Sequence, residues 1–395
     1  MSSAAPSTDM HNKGHLTTMT LLFFFIYAGI GVNLTFLNVY YIDQGLTGTQ
    51  IGLIGTAASL VAMVSASLWG YVSDRTGYAG RVMAAGAAGA AIIAMIYPLV
   101  HGFVPYLLLA SGFAFFNSAF FILVDSTTLT LLGERRDEYG RIRLGGTFGY
   151  ILTTAAAGFV YQRVGLEWMF PAYAVITALL LVVCLRVPRL PVRLGERPAS
   201  QITQMIFRPA WLIFALCSFL IWTAASGSIA FLGVTINSMG GSDSLIGLAA
   251  TTAAIAEIPF MFFSGVMMRR MGMQRMLWAS MFFFTLRIGA YGFMPAPVWA
   301  VGINLINGPS YVFFWNSAVN YANQLAPDSL KATAQGLFQS TTNLASVVSA
   351  LICGWMFDNL GTAGLFRVLA LFCLAAFLIF GAGQLLQRKD QPAQA

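Results

Sequence analysis

Charge is the property that this sequence most conspicuously lacks. Only 9% of its 395 residues are Asp, Glu, Lys or Arg, and 58% are hydrophobic, whereas a soluble globular protein carries about 25% charged residues. This composition excludes a soluble fold and predicts an integral membrane protein. The apolar runs are continuous and long enough for membrane-spanning helices, and they lack the alternation of a transmembrane β-barrel.

Residues for metal, redox or nucleotide chemistry are also scarce. The four cysteines lie within apolar runs and have no C-x-x-C spacing, and the three histidines lie in the N-terminal tail and one loop. We therefore expect packing cysteines, no metal site and no catalytic cluster. The chain has no nucleotide-binding loop, so we expect no cofactor and assign the driving energy to an ion gradient, most simply of protons.

The hydrophobic runs predict twelve spanning helices. The polar residues before the first run lack a signal-peptide pattern, so this run is expected to remain as helix 1. Glycine and proline mark the breaks between runs. The predicted spans are 17–41, 49–73, 81–99, 104–128, 142–163, 168–187, 210–236, 244–268, 275–294, 297–322, 333–357 and 363–386.

The basic residues predict the orientation of these spans. With the N-terminus inside, the outer loops hold only Arg163 and Arg367, and nearly all other Lys and Arg residues fall on the cytoplasmic side. This asymmetry predicts a multi-pass inner-membrane protein with both termini in the cytoplasm. It also accounts for the net charge of +7, so no nucleic-acid partner is expected; the expected partners are lipid, protons and a small solute, with the chain acting as a monomer.

A basic, proline-containing linker divides the twelve spans into two sets of six. Two loops share one pattern, Gly70–Gly77 after span 2 and Gly265–Gly272 after span 8. In each loop, charged residues stand four and five positions after the first glycine, and a second glycine stands seven positions after it. This internal repeat supports two bundles. The predicted divisions are tail 1–16, first bundle 17–187, linker 188–209, second bundle 210–387 and tail 388–395.

Four charged residues fall inside or against the apolar runs: Asp125, Arg143, Glu257 and Arg287. An ionisable group at mid-bilayer costs about 2.5–3.5 kcal/mol on insertion scales, so it is retained only if it is paired, hydrated or functional. A structural ion pair contributes little net stability when buried. We therefore interpret these two acids and two bases as the candidate working centre.

The sequence Gly70-Tyr-Val-Ser-Asp74-Arg75-Thr-Gly77 resembles the signature of the major facilitator superfamily, and twelve spans with a central linker agree with it. The resemblance implies an all-α fold of two six-helix bundles. It also implies a cytoplasmic gate at Gly70, Asp74, Arg75 and Gly77, in which the acid braces helix 2 against the start of helix 11 in the outward-facing state. The second copy has Arg269 in place of the acid.

A narrower resemblance is to the branch of phenylpropionate permeases and oligosaccharide:proton symporters. Asp125 and Arg143 fall on an acid and an arginine that contact the sugar in those symporters, and Tyr150 replaces a tryptophan that stacks on it. Glu257 and Arg287 have the thirty-residue separation of the permeases. The resemblance implies substrate binding by Asp125, Arg143 and Tyr150, and proton coupling by Asp125, Glu257 and Arg287.

Helix 10 departs from the symporter pattern. Asn307 and Ser310 stand where those proteins carry a titratable histidine and acid, so any proton must be carried by Asp125 or Glu257. Gly308-Pro309 should loosen this helix, and broken helices favour cavity positions. Asn307, together with Tyr27 and Asn33 of helix 1, is therefore a further candidate for substrate binding, against the alternative of helix packing through polar side chains.

The sequence as a whole indicates a secondary transporter that works by alternating access, with proton symport as the main hypothesis. An aromatic carboxylate and a sugar or nucleoside remain equally compatible with the candidate residues. A proton-driven exporter, an uncoupled facilitator and a transport-dead sensor are the alternatives. A membrane enzyme is not expected, since no catalytic cluster is present.

Overall fold

The computed structural model describes residues 7–132, 138–190, 207–327 and 330–389, and these are predominantly helical, without a β-strand. Parts of both tails and most of the linker, which the sequence places at 1–16, 188–209 and 388–395, lie outside the described residues. The first six helices are α1 (Ser7–Gly29, continued by Ile30–Leu34 and Thr35–Asp43), α2 (Gly48–Thr76), α3 (Ala79–Ile96), α4 (Phe103–Leu132), α5 (Tyr139–Val164) and α6 (Met169–Cys184).

The second six helices follow the same order along the chain. Helix α10 is assembled from four short pieces, and the helical run Lys331–Lys389 is broken at Gly361, whose φ is 68°, into α11 (331–360) and α12 (362–389). The remaining bounds are α7 (Pro209–Ser238), α8 (Asp243–Met271), α9 (Met273–Tyr291) and α10 (Trp299–Ile303, Asn304–Ile306, Gly308–Val312 and Phe313–Leu325).

The all-α membrane fold is confirmed. Every predicted span coincides with one of these helices. Among the described residues, eight helical segments are long and apolar enough to cross a membrane, and one of them, Thr333–Gln384, includes both α11 and α12. The exposed large side chains are mostly Leu, Val, Ile and Phe, as expected where lipid replaces water as the solvent.

The chain forms two compact units. The first comprises Met1–Leu46 and Ala57–Gly195, and the second comprises Thr47–Thr56 and Glu196–Ala395. The core of the first unit brings α1, α3, α4, α5 and α6 together around buried Met83, Phe120 and Leu180. In the second unit, α7 packs along the α11–α12 run, where Gly227 lies against Cys353.

Two of the described helices contain a π-helical turn. The turn Ile30–Leu34 in α1 and the turn Gly308–Val312 in α10 are π-helical, and the latter follows a 3₁₀ turn at Asn304–Ile306. Pro309 has no backbone N–H and cannot continue the ladder of hydrogen bonds. The prediction that Gly308-Pro309 loosens helix 10 is therefore confirmed, and π turns of this kind are frequent at functional sites.

Candidate functional site

Asp125 and Arg143 meet around a third side chain, Tyr139. The Tyr139 hydroxyl donates a hydrogen bond of 2.8 Å to Oδ1 of Asp125 and lies within electrostatic range of the Arg143 guanidinium. Tyr139 begins α5 and precedes Arg143 by four residues, so both side chains share one face of the helix. The structure therefore brings the predicted acid of α4 and the predicted base of α5 to one place.

Tyr27 belongs to the same cluster. Its ring meets Phe121 of α4 edge-on at 6.3 Å, and a Cβ on Gly146 of α5 would lie 2.8 Å from its ring. The Tyr27 side chain also lies within electrostatic range of the Tyr139 hydroxyl. Gly146 thus provides the space that lets α1 contribute an aromatic side chain beside the acid and the base.

Tyr150 and Asn33 lie further along α5 and α1. The Tyr150 hydroxyl is 3.3 Å from Oγ1 of Thr35, one residue after the π turn. Asn33 lies inside that turn and is only 2% exposed, and neither atom of its amide has a hydrogen-bond partner among the described residues. A buried amide without hydrogen bonds costs free energy, on the order of 1–3 kcal/mol. The Asn33 amide can therefore still form hydrogen bonds with another polar group.

Glu257 and Asn307 form the polar centre of the second unit. Nδ2 of Asn307 donates a hydrogen bond of 2.7 Å to Oε1 of Glu257 and approaches the carbonyl of Ala253 at 3.3 Å. Asn307 is 7% exposed and lies immediately before the π turn of α10. Gly308 permits the close approach, because a Cβ there would overlap the carbonyl of Ala256 in α8.

A second amide fixes α10 to its neighbours one turn earlier. Asn304 donates to the carbonyl of Ala249 at 2.9 Å and accepts a hydrogen bond of 2.6 Å from the Tyr291 hydroxyl. Asn304 therefore links α8, α9 and α10 as a structural connection. Asn307 differs from Asn304, because its Nδ2 donates a hydrogen bond to the half-buried carboxylate of Glu257.

Arg287 is placed differently from the other three charges. It is 5% exposed, its Nε has no hydrogen-bond partner among the described residues, and its guanidinium stands 5.1 Å from the centre of the Phe284 ring. Tyr291 and Cys373 lie within its electrostatic range. Pairing between Arg287 and Glu257 stays a prediction.

Tyr311 of α10 lies beside two tryptophans for which the sequence predicts no role. The rings of Trp222 and Trp315 lie 5.2 Å apart, and Tyr311 stacks on Trp315 with an interplanar angle of 10°. Nε1 of Trp222 donates to Oγ of Ser346 at 3.0 Å. All three rings are only partly buried, so they form an aromatic surface with a polar edge, beginning four residues after Asn307 on the same helix.

The loop Gly70–Gly77 has the geometry of a tight helix end. Gly77 has a φ of 73°, and its carbonyl accepts a 2.8 Å hydrogen bond from the backbone N–H of Leu190. Arg75 donates to the Tyr71 hydroxyl at 2.7 Å. Asp74 is exposed, and its role as a brace, like the gating role of Gly70 and the other loop residues, stays a prediction.

No group of three His, Cys, Asp or Glu side chains in the described part of the chain is arranged to hold a metal ion. The polar clusters consist of single carboxylates with phenol or amide donors. Groups of this kind can form hydrogen bonds with a polar molecule, and each carboxylate can bind one proton.

Comparison with known proteins places the chain in a family. Residues 16–380 match the MFS_1 like family. The chain is 26% identical to the maltose permease of Geobacillus stearothermophilus, over 87% of this chain and 88% of that protein. It is 24% identical to a probable 3-phenylpropionic acid transporter of Escherichia coli (strain K12), over 91% and 96% of the two chains.

Solved structures of transporters share the fold. The crystal structure of nucleoside transporter NupG superposes with a TM-score of 0.81, at 18% identity, over 93% of this chain and 98% of that chain. Since the family match covers most of the sequence, this chain belongs to the MFS_1 like family of the major facilitator superfamily and is a membrane-embedded secondary transporter, not an enzyme.

Proposed function

We propose that this protein is a proton-coupled symporter that carries a small ring-containing solute across the inner membrane by alternating access. The observation that carries the proposal is the hydrogen bond between Glu257 and Asn307 at the interrupted turn of α10. It places a titratable acid beside an irregular helix turn in a protein of a transporter family.

Glu257 is the proposed proton carrier. Asn307 donates a hydrogen bond to one carboxylate oxygen of Glu257. Both the charged and the protonated forms of the acid have an oxygen that can accept this hydrogen bond. The amide therefore holds the side chain in one orientation while the proton is gained and lost. Arg287 is a buried cation in the same unit. Because burying a charge in the membrane costs free energy, its presence supports a role for Arg287 in proton coupling.

Asp125, Arg143 and Tyr139 are the proposed binding group for the solute, together with Tyr27. A carboxylate and a guanidinium held by a shared phenol present acceptors and donors to hydroxyl or carboxylate groups of a solute. Tyr150 and Asn33 add further hydrogen-bonding capacity as the sequence predicts, whereas Asn307, the remaining predicted binding residue, is assigned to orienting Glu257.

The substrate classes supported by these groups are aromatic carboxylates and sugars or nucleosides. A relative is named as a transporter of 3-phenylpropionic acid and others as permeases of maltose and raffinose or a putative nucleoside transporter. The partly exposed rings of Trp222, Tyr311 and Trp315 support a solute with a ring face, because stacking on an aromatic surface is favourable for each of these classes.

A transport assay in proteoliposomes separates the proton carrier from the binding group. We expect Glu257→Gln to retain exchange of labelled for unlabelled solute but to lose uphill accumulation under a proton gradient. Asp125→Asn should lose both activities, because it removes charge from the binding group. Glu167→Gln, at an exposed position, is the matched control and should retain both.

Uphill accumulation of solute by Glu257→Gln at the parent rate would refute the proposal that Glu257 carries the proton. The substrate class is tested separately by the thermal stability of the purified protein with an aromatic carboxylate, a disaccharide or a nucleoside, since a ligand that binds the native state raises its Tm. Transport of a stabilising solute without a proton requirement would instead indicate an uncoupled facilitator.

A further inference from the structure

The glycine signature of the cytoplasmic loop recurs in two further loops. Gly158 is followed by Gln162 at four and Gly165 at seven, and the same spacing relates Gly354, Asp358 and Gly361. With the copies at Gly70–Gly77 and Gly265–Gly272, the signature follows the second helix of each three-helix set. The final glycines Gly77, Gly165, Gly272 and Gly361 all have positive φ, between 68° and 96°.

An acid is present in only two of the four copies, at Asp74 and Asp358. Gln162 and Arg269 occupy the equivalent positions. The distribution of basic residues predicts that the loop with Asp74 is cytoplasmic and that the loop with Asp358, between α11 and α12, is extracellular. The acid is therefore retained once on each side of the membrane.

Asp358 caps the start of α2. Its Oδ1 accepts a 2.7 Å hydrogen bond from the backbone N–H of Gly48, and its Oδ2 accepts one of 2.7 Å from the N–H of Thr49. The Thr49 hydroxyl donates to Oδ2 as well, at 2.5 Å. A carboxylate at this position satisfies N–H groups that have no partner within the helix and interacts favourably with the helix dipole.

The first turn of α2 supplies the rest of the cap itself. Thr47 and Gln50 exchange reciprocal hydrogen bonds, from the N–H of Thr47 to Oε1 of Gln50 at 3.0 Å and from the N–H of Gln50 to Oγ1 of Thr47 at 3.2 Å. This capping box leaves the N–H groups of Gly48 and Thr49 to be satisfied by a remote residue. Asp358 is that residue, although it is 310 positions away.

Glycines allow α2 and α11 to touch along this turn. A Cβ on Gly354 would overlap the carbonyl of Gly48, and a Cβ on Gly52 would overlap the carbonyl of Ala350. One turn further along, Oγ1 of Thr56 approaches the carbonyl of Val347 at 3.4 Å. The contact is therefore made by backbones, with the carboxylate at its outer end.

We propose that Asp358 is a positioning residue of the transport cycle, a brace that holds the start of α2 against α11 at the extracellular end and is released when these helices separate. The stretch Thr47–Thr56 belongs to the second unit, whereas α2 from Ala57 onward belongs to the first. Movement of α2 away from α11 must break the three hydrogen bonds of Asp358. The proposal rests on alternating access by a secondary transporter and is independent of the substrate and the coupled ion.

The test is the accessibility of a thiol placed at Thr56, within the α2–α11 contact. Thr56→Cys is introduced into a background in which the four native cysteines, all buried, are replaced by alanine, and its alkylation by a membrane-impermeant maleimide is timed in cells. Asp358→Ala should raise the alkylation rate about fivefold, the factor expected for loss of one helix cap. Asp358→Asn retains one acceptor oxygen and should give a smaller increase.

Two controls distinguish a brace from other effects. Asp74→Ala removes the acid from the same signature on the predicted opposite side and should not raise the alkylation rate. Thr47→Ala weakens the local cap alone and should change the rate less than Asp358→Ala does. An unchanged rate in both Asp358 variants, or an equal increase with Thr47→Ala, which would indicate fraying of α2, overturns the proposal.

This readout requires no substrate, so it is separable from the proposed function. Uphill accumulation by Glu257→Gln at the parent rate, which would refute Glu257 as the proton carrier, would leave the Asp358 result standing. Failure of the Asp358 prediction would likewise leave the assignment of Glu257 unaffected. Normal elution and thermal stability of each variant establish that the alkylation rates report a folded protein.

Discussion

Two acid–base sets with similar placement in the sequence have different surroundings in the structure. In the first unit, Asp125 and Arg143 both lie near the Tyr139 hydroxyl. In the second unit, Glu257 accepts a hydrogen bond from Asn307. Arg287 is buried beside Phe284, and its Nε–H has no hydrogen-bond acceptor among the described residues. The first set shares one phenol. In the second set, an amide donates to the acid and an aromatic ring lies beside the cation.

A charge in an apolar run can serve more than one purpose. In the proposed function, the phenol of Tyr139 holds an acid and a base for binding the solute, and the amide of Asn307 orients the acid that carries the proton. Substitutions of the same kind in the two sets should therefore have unequal effects on binding and on coupling.

The largest effect is expected from Arg143→Met. Removing one partner of a hydrogen-bonded charge group typically costs about 2–5 kcal/mol, so substrate affinity should fall on the order of a hundredfold or more. Isothermal titration with the solute identified in the stability screen measures the loss. Arg143→Lys keeps the charge without the planar fork and should recover only part of it. Full affinity in Arg143→Met would remove Arg143 from the binding group.

Arg287→Met should separate stability from function. Burying a charge costs free energy, so replacing Arg287 by an apolar side chain of similar volume should leave the Tm the same or raise it. Uphill uptake should nevertheless fall by about tenfold, since the proposed coupling loses its cation and a factor of ten corresponds to about 1.4 kcal/mol. Uptake is measured in proteoliposomes under a proton gradient. A lower Tm with unchanged uptake would show instead that Arg287 is structural.

Tyr139→Phe tests the connection within the first set. The variant keeps the ring and removes the hydroxyl that donates to Asp125, and a single hydrogen bond to a charged group contributes about 1.5–3 kcal/mol. We expect substrate affinity to fall by about tenfold and solute exchange to fall with it. The paired variant Tyr27→Phe removes a hydroxyl from a ring that packs on Phe121 and should lose less; equal losses would argue against a special role for Tyr139.

Asn307→Ala should give the smallest effect. Removing the amide leaves Glu257 in place but less firmly oriented, and loss of one hydrogen bond of about 1 kcal/mol corresponds to roughly a fivefold change. Uphill uptake should fall by this factor while solute exchange stays near the parent value. Asn304→Ala is the contrasting variant, because that amide connects three helices and its loss should lower the Tm. A fall in exchange with Asn307→Ala would move this residue to substrate binding.

Much of the fold could be predicted from the sequence, because hydropathy is a local property. Each of the twelve runs became a helix, and Gly308-Pro309 produced the expected interruption of α10. The sequence did not indicate the π turn at Ile30–Leu34. No proline lies in the middle of helix 1, and glycines such as Gly29 and Gly31 also occur in regular helices.

The candidate site was only partly predictable. Asp125 and Glu257 stand out as charges in hydrocarbon. Tyr139 lies four residues before Arg143 at the start of helix 5, but the pattern predicts no role for its hydroxyl. Trp222 and Trp315 are indistinguishable in sequence from packing residues. Asp358 lies in a polar break, where an acid is common, and its partners are 309 and 310 positions away.

The order of the residues is enough to predict a polytopic helical fold, the positions of its spans and the four charges that are costly in hydrocarbon. These features follow from transfer free energies, which each residue contributes independently of its distant neighbours. The contacts of Tyr139 with Asp125 and Arg143, of Asn307 with Glu257 and of Asp358 with the start of α2 become visible only in the folded chain. Such contacts depend on which face of each helix turns toward another, and packing of the whole chain sets that orientation.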